Sequence, residues 1–343
     1  MRGSPVFLVL FLSGLTVIGQ TPAGETPPLR IGPGVTAPRV RSKVEPEYSA
    51  YARADHIEGT VVLQLVVGPS GRPAHIDVLS PLGYGLDEKA IEAISKWTFD
   101  PATKDGLPVP VRATIQVNFR FVGMPFDEKY ERRRTAFNLA LQKLKGKTPD
   151  PQNTAVESMM ELARQDFPAA LYVVGIWQIK GEKVAQDVEA GQIKVQKAAT
   201  KNFGPAIYAV ALRTITDPAA SPKAWERIRL ASTLGSAEAQ YFLGDRYERG
   251  DGVPRSADQA KNHFRLCAAK GESLCQYRLA RLMFDSPNRP DYEYEQALAW
   301  FQLAAGQGVA EAGAVVEREK PNLTPAQDKA ISFLARQFSG KAE

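Results

Sequence analysis

Cys267 and Cys275 stand eight positions apart in the stretch LCAAKGESLCQY and are the two cysteines of the 343-residue chain. Such a pair could hold a metal, act as a redox centre, form a disulfide or pack as two free thiols. A zinc site needs about four ligands, and His263 alone lies nearby, on the same predicted helix. A thiol redox centre usually has the spacing C-x-x-C, which differs from this one. A disulfide and two packed thiols therefore stay open until the surrounding elements are known.

Other residues that could do chemistry are scattered. The three histidines, His56, His75 and His263, are far apart in sequence. The stretch GPSGRPAHID contains two glycines but is typical of a hairpin turn rather than a phosphate-binding loop. The sequence shows no nucleophile elbow and no metal-ligand spacing. We therefore expect no enzyme activity, no cofactor and no metal.

Composition indicates a folded protein of about two domains. The chain is 44% hydrophobic and 24% charged, with a formal net charge of +5, which is ordinary for globular domains. The longest run of like charge is Arg132–Arg134, and three arginines are more typical of a solvated helix face than of a nucleic-acid patch. We expect no nucleic-acid partner.

The N-terminus predicts export. Arg2 precedes the apolar run PVFLVLFLSGLTVIG, residues 5–19. As a helix, this run would span about 22 Å, short of the roughly 30 Å hydrocarbon core of a membrane. A basic start, a short apolar run and small residues are typical of a secretory signal. We assign residues 1–19 to a cleaved signal and the protein to the periplasm; the alternative is a short inner-membrane anchor facing the periplasm.

Residues 20–41 contain five prolines and three glycines and are predicted to be a linker without a packed element. After them, residues 42–122 have the pattern of a small α+β domain. EGTVVLQLVVGPSGRPAHIDVLS predicts two strands around a turn at Gly68–Gly71. Val62 and Val66, on the second face of the first strand, imply burial on both faces. GLDEKAIEAISKW predicts a helix with Asp87 as N-cap, and DGLPVPVRATIQVNFRF predicts a turn followed by a long last strand.

These residues resemble the C-terminal domain of the TonB energy-transducer family. The resemblance is carried by PEY at 46–48, EGTVVLQLVV at 58–67, GYGLDEKA at 83–90 and WTFDPATKDG at 97–106. It implies a helix packed on a small antiparallel sheet. It also implies binding of an extended receptor peptide by strand addition at an exposed sheet edge. By resemblance that edge is the last strand, 110–121, and the expected peptide-binding positions are Val111, Arg112, Thr114, Gln116, Asn118 and Arg120.

From about residue 125 the pattern is helical and repeats. A small residue recurs at Ala170, Ala206, Ala239, Cys275 and Ala312, with spacings of 36, 33, 36 and 37. Eight residues before each of the last four stands another, at Ala198, Ala231, Cys267 and Ala304. A period near 36 predicts a solenoid of helical hairpins. Glycines in the connections, Gly204, Gly235, Gly271 and Gly308, would end the helices. We divide this part into a connecting helix at 123–149, repeats at 150–322, and a capping helix and tail at 323–343.

The repeats resemble the Sel-one-like family, a relative of the tetratricopeptide repeats. The clearest unit is AEAQYFLGDRYERGDGVPRSADQAKNHFRLCAAKGE at 237–272, followed by EQALAWFQLAAGQG at 295–308. Cys267 and Cys275 occupy the two alanine positions of this repeat, facing each other across a helix junction. Some exported members of the family form a disulfide with this spacing, and an exported chain meets an oxidising compartment. The resemblance therefore implies a structural disulfide.

Two functions follow from these resemblances. The first is a periplasmic interaction module that binds an extended peptide of an envelope or outer-membrane protein at the sheet edge and another protein on the solenoid. The alternative is a TonB-type energy transducer for receptor-mediated uptake. A transducer needs a membrane helix, so the predicted signal cleavage favours the module, and membrane contact is expected only if the segment stays uncleaved. Repeat position favours a core role for the solenoid aromatics Tyr208, Tyr241, Tyr247, Tyr277 and Trp300.

Overall fold

The computed structural model describes residues 28–29, 31–49, 52–53, 57–120, 128–146, 154–215, 221–287, 289 and 291–339. The predicted signal and the first part of the predicted linker lie outside these residues. Among the described residues, no helix combines the length and the apolar character needed to cross a membrane.

The first domain contains one three-stranded antiparallel sheet in the order β3-β2-β7, with two short strand pairs, β1 with β4 and β5 with β6. The elements of the first domain are β1 Arg39–Ser42, β2 Gly59–Val67, β3 Pro73–Ser80, α1 Leu86–Ser95, β4 Thr98–Asp100, β5 Thr103–Lys104, β6 Leu107–Pro108 and β7 Val111–Phe119. The predicted α+β order of the domain is confirmed.

Alternation along β2 builds the core of this domain. Val61, Leu63 and Leu65 point to one face and are fully buried, together with Leu86 and Ile94 of α1. Because successive side chains of a strand point to opposite faces, this face of β2 is committed to the helix. Burial of each such aliphatic side chain contributes about 1.5–3 kcal/mol, which fixes the strand register.

After β7, the regular structure of the described residues is helical. Its helices are α2 Glu128–Lys145, α3 Thr154–Arg164, α4 Pro168–Lys180, α5 Val188–Thr200, α6 Gly204–Leu212, α7 Ser221–Thr233, α8 Ala237–Arg249, α9 Ala257–Ala268, α10 Ser273–Phe284, α11 Asp291–Gly306, α12 Ala310–Glu319 and α13 Pro325–Phe338. From α4 onward they form successive helical hairpins, as the repeat predicts.

The small-residue series lies where the helices touch. Its members are all buried: Ala170, Ala206, Ala239, Cys275 and Ala312 in one series, and Ala198, Ala231, Cys267 and Ala304 in the other. Large side chains at these points would push adjacent helices apart. The small residues therefore recur at a fixed period because each repeat needs them at its helix–helix contacts.

One connecting glycine has a different role from the predicted one. Gly235, Gly271 and Gly308 have positive φ values of 82°, 88° and 91°, as residues that end helices do. Gly204 instead begins α6, and Asn202 holds the left-handed position with φ 60°. A Cβ on Gly204 would lie 2.8 Å from the carbonyl oxygen of Leu234, so glycine is needed there for close helix approach.

Aromatic side chains of the solenoid pair along its length. Trp300 is 1% exposed and stacks on Phe338 of α13 with ring centroids 4.3 Å apart, so it belongs to the core as expected. The four repeat tyrosines are half-buried. Three of them pack against a phenylalanine in the pairs Tyr208–Phe242, Tyr241–Phe264 and Tyr277–Phe301.

The predicted linker differs from the structure at its C-terminal end. Residues 39–42 form β1, which pairs with β4, and Leu29 forms a parallel bridge with Val111. All four residues of β1 are exposed, so no apolar alternation marks the strand in the sequence. Backbone hydrogen bonds to a neighbouring strand hold this segment, and composition alone does not report them.

The second face of the sheet packs on the solenoid. Val62 of β2 and Leu79 of β3 join the apolar cluster that contains Trp300 and Phe338. The side-chain amide of Gln296 in α11 donates to the side-chain oxygen of Gln64 at 3.5 Å. The burial on both faces of β2 that its valines predicted is therefore a contact between the two domains.

Candidate peptide-binding edge and domain interface

The backbone of β7 has one side bonded and one side largely open. All of β7 lies in register with β2, but the carbonyl of Pro110 and the N–H of Arg112 bond to Leu29 on the side away from β2. Because backbone groups alternate between the two sides of a strand, the even-numbered residues direct their N–H and C=O groups outward. Leu29 covers the start of this outer side, because its N–H donates to Pro110 at 2.9 Å and its carbonyl accepts from Arg112 at 3.1 Å. Past Arg112, no strand among the described residues pairs with the outer side of β7, which leaves Thr114, Gln116 and Asn118 as edge positions.

The six predicted peptide-binding positions separate onto different surfaces. Val111 is fully buried in the core, whereas Arg112, Thr114 and Gln116 lie on the solenoid face of the sheet. Asn118 accepts a hydrogen bond from the hydroxyl of Thr60 at 2.6 Å. Arg120 follows the end of β7 and is exposed. The structure thus places Arg112, Thr114 and Gln116 together on one face, whereas the side chain of Val111 lies in the core.

A groove between α13 and the solenoid face of the sheet reaches β7 and includes residues that the sequence did not indicate. It has a volume of about 340 Å³, and its lining includes Thr114 and Gln116 of β7 and, from α13, Phe333, Leu334, Gln337 and Phe338. We call these four residues the α13 flank. Ile331, Leu334 and Phe338 have helical spacing and form the packed face of α13. Phe333 does not fit that spacing and is 58% exposed. This misfit is the sequence feature that could have indicated Phe333 as an exposed aromatic residue.

Arg112 connects the edge strand to the solenoid. Its guanidinium carbon lies 3.7 Å from the centroid of the Tyr292 ring in α11. Nearby, a cleft of about 550 Å³ separates β3 and α1 from α9 and α11. Burial lowers the pKa of Arg265 in this cleft, and the carboxylates of Asp77 and Glu293 oppose that change. The interface between the domains therefore combines an apolar part with a polar, charged part.

Asp87 stabilises the loop before α1 rather than capping the helix. The N-cap is Gly85, with φ 75°, and the carboxylate of Asp87 accepts the N–H groups of Leu82 at 2.8 Å and Gly83 at 2.9 Å. The N-cap prediction is wrong because the two glycines around Tyr84 turn the loop back over the first helical turn. Burial raises the pKa of Asp87 to about 6, against the lowering effect of these two hydrogen bonds.

His263 is a packed histidine at the same interface. Its ring stacks on Tyr247 with centroids 5.5 Å apart, and its Nδ1 lies 3.4 Å from the hydroxyl oxygen of Ser232. Burial lowers the pKa of His263 to about 4, so the ring is neutral at pH 7. The described residues contain no group of three or more His, Cys, Asp or Glu side chains arranged to hold a metal.

Cys267 and Cys275 form the predicted disulfide. Cys267 lies in the last turn of α9 and Cys275 in the first turn of α10, with Cα atoms 5.8 Å apart. Both residues are buried. The bond therefore joins two successive helices at the point where the other repeats place two alanines.

Family models match both parts of the chain. Residues 44–121 match the model of the Gram-negative bacterial TonB protein C-terminal, and residues 237–272 and 273–309 each match the Sel1 repeat. Protein TonB of Vibrio cholerae is 38% identical over 85 residues, which is 24% of this chain. Protein TonB of Escherichia coli is 30% identical over 105 residues, which is 30% of this chain. The chain spans 35% and 42% of the length of these two curated relatives.

Two solved structures are similar to the solenoid. A Sel1 repeat protein from Oxalobacter formigenes is 24% identical with a TM-score of 0.43, covering 56% of this chain and 57% of that one. A protective antigen of uropathogenic Escherichia coli with an SLR fold is 25% identical with a TM-score of 0.42, covering 61% of this chain and 46% of that one. The chain is therefore similar to the TonB C-terminal family at residues 44–121 and to the Sel1 repeat family at residues 237–309.

Proposed function

We propose that this protein is an exported interaction module that binds an extended peptide of an envelope or outer-membrane protein as an added strand on β7. The observation that carries the proposal is the outward backbone of Thr114, Gln116 and Asn118, directly beyond the point where Leu29 already bonds to β7 as a strand residue. The TonB C-terminal domain and the Sel1 repeats support an interaction role.

Backbone chemistry accounts for binding without a particular sequence. The outward N–H groups of Thr114, Gln116 and Asn118 would donate to the carbonyls of an added strand. The outward carbonyls of the same residues would accept from its N–H groups. Each such bond contributes about 0.5–1.5 kcal/mol net. Selectivity must therefore come from side chains on either side of the edge.

A second protein is proposed to bind the solenoid at a groove of about 320 Å³ beside the disulfide. Tyr208, Tyr241 and Leu274 supply its apolar contacts, and Glu238 and Glu272 lie beside them. Leu274 is 58% exposed. Apolar and acidic groups side by side favour a partner segment that carries both apolar and basic residues.

The alternative is a TonB-type energy transducer, which the similarity to curated TonB proteins favours. The two functions differ at the N-terminus. The intact mass of the protein from its native envelope separates them: loss of about 19–23 residues supports the module. A full-length mass in the membrane fraction supports the transducer.

The strand-addition proposal is tested with a displayed library of random twelve-residue peptides selected on the wild-type protein. Thr114→Pro removes one outward N–H, and proline is tolerated at an edge position of this kind. We expect the selected peptides to bind Thr114→Pro at least tenfold more weakly, whereas the matched variant Thr114→Ser, which keeps both the N–H and the hydroxyl, should bind within about threefold of the wild-type protein. Circular dichroism and thermal unfolding check that the variant folds.

A second measurement leaves the protein unchanged. Selected peptides are resynthesised with N-methyl groups on alternate backbone amides, which removes donors from one side of the strand. One of the two alternating sets should abolish binding and the other should leave it intact. Equal binding of both sets, or full binding to Thr114→Pro, would contradict strand addition at β7.

A further inference from the structure

We infer that the α13 flank forms the side-chain recognition surface for the strand added to β7, so that the protein selects extended peptides with a large, uncharged apolar residue at every second position. This inference rests on the proposed function. It assigns to the last helix of the Sel1 solenoid a role in the binding site of the TonB domain.

The first reason for the inference is that side chains alternate between the two faces of a strand. Thr114 and Gln116 are two residues apart on β7 and lie on the face of the sheet that packs on the solenoid, opposite Gln64 and Val62 of β2. In an added strand, side chains again alternate between the two faces. Every second side chain of the peptide would therefore project to the same face as Thr114 and Gln116, where the groove lies.

The chemistry of the groove carries the second step. Among the residues that the structure describes, none with an ionisable side chain lines the groove, and its polar groups are amides and hydroxyls such as those of Gln116 and Gln337. A charged peptide side chain would lose water there without gaining a partner, which is costly. An apolar side chain would instead cover the ring of Phe333, which is 58% exposed.

The position of Phe333 carries the third step. Leu334 and Phe338 already pack into the core of the solenoid, so that core does not require Phe333. Phe333 lines the same groove as Thr114 and Gln116, and a large aromatic side chain in such a groove is the kind of residue that dominates binding. Leu29 indicates the register, because its bonds to Pro110 and Arg112 show which backbone groups of β7 face this side and that the covered part ends at Arg112.

The test uses three fluorescein-labelled twelve-residue peptides that alternate threonine with leucine, serine or glutamate and end in two lysines. Affinities are measured by fluorescence anisotropy on the full-length protein. We expect the leucine peptide to bind at least tenfold more tightly than the serine peptide, and the glutamate peptide to bind most weakly. In Phe333→Ala the preference for leucine over serine should fall below threefold.

Matched variants separate the inference from the proposed function. Ile193→Ala removes an apolar side chain of α5 that is 60% exposed and should leave the preference unchanged. Gln116→Pro should weaken all three peptides together. If Gln116→Pro has this effect but Phe333→Ala keeps the full preference, strand addition stands and the role of the α13 flank is overturned. Equal binding of the peptides to Gln116→Pro and to the wild-type protein, or no binding to the wild-type protein, would overturn both.

Discussion

Arg112 of β7 lies over the ring of Tyr292 in α11, with its guanidinium carbon 3.7 Å from the ring centroid. The same residue donates its backbone N–H to Leu29. One residue therefore ends the covered part of the edge and connects the edge strand to the solenoid. Five predictions follow from this interface and from the elements around it.

The contact between Arg112 and Tyr292 should be measurable as a coupling energy. A double-mutant cycle with Arg112→Ala and Tyr292→Ala should give about 0.5–2 kcal/mol of coupling in the free energy of unfolding, as expected for a desolvated cation–π pair. Urea unfolding supplies the four values. The same cycle with Arg120→Ala in place of Arg112→Ala should give none, because Arg120 is exposed beyond the strand. Coupling near zero in the first cycle would show that the ring and the guanidinium are independent.

Removal of the disulfide should lower stability without disturbing packing. The double variant Cys267→Ala, Cys275→Ala places alanine where the other repeats already carry it, at the buried positions Ala231 and Ala239 for example. The expected loss is about 2–3 kcal/mol, the chain-entropy value for a short closed loop. Urea unfolding of the oxidised wild-type protein and the variant measures it. Equal stability would indicate that the bond constrains the unfolded chain very little.

Asp87 should make the protein more stable as the solution is acidified. Burial raises its pKa in the folded protein to about 6 from the ordinary value of 3.8, so between these pH values the folded state binds a proton that the unfolded state does not bind. The unfolding free energy of the wild-type protein relative to Asp87→Asn should therefore rise as pH falls from 7 to 4, by about 2–3 kcal/mol. An Asp87 carboxyl resonance that titrates near pH 4 would contradict this prediction.

His263 should make the protein less stable as the solution is acidified, the opposite of the effect of Asp87. Burial lowers its pKa to about 4 from 6.5, so the unfolded state binds the proton first. The stability that the neutral ring contributes is present above pH 6.5 and is lost as pH falls through 6.5 toward 4. Relative to His263→Gln, the wild-type protein should lose about 2–3 kcal/mol over this window. As pH falls, the unfolding free energy of the wild-type protein should therefore rise relative to Asp87→Asn and fall relative to His263→Gln. A change of the same sign for both variants would contradict the buried surroundings of one of the two residues.

Gly71 should tolerate no side chain. It has φ 72°, and a Cβ would clash with the carbonyl oxygen of Phe99, the residue whose N–H donates to the carbonyl of Gly71 at 2.9 Å. Gly71→Ala should cost more than about 3 kcal/mol, because backbone strain and a clash combine. Gly106→Ala is the matched control, with φ 80° and open space around the added atom, and should cost about 1–2 kcal/mol. Thermal unfolding compares the two, and equal losses would contradict the clash.

Periodic features of the sequence predicted the architecture well. The alternation of Val61, Leu63 and Leu65 predicted a strand with one buried face. The small residue that recurs about every 36 positions predicted the helical hairpins. Both predictions succeeded because each pattern reflects one repeated local contact. The disulfide also followed from its place in the repeat. The linker strand β1 and the packing of Asp87 were not predictable in the same way, since both depend on backbone partners distant in sequence.

The candidate site was only partly predictable for the same reason. The edge strand and its even-numbered residues came from resemblance to a known domain. Phe333 lies more than 200 residues further along the chain, and no local pattern relates it to β7. Its departure from the helical spacing of its neighbours marks an unusual surface residue, but only the packed structure places that residue beside Thr114 and Gln116.

Burial of β2 on both faces has a consequence for how the chain can be divided. Val62 and Leu79 complete the apolar cluster around Trp300 and Phe338, so separation of the two parts would expose apolar surface on each. A fragment that ends near residue 122 would then have an exposed apolar sheet face as well as an open strand edge, and this combination promotes self-association. The two parts are therefore interdependent, and exchange of the first domain for that of a relative would require matching residues at positions 62, 79 and 112.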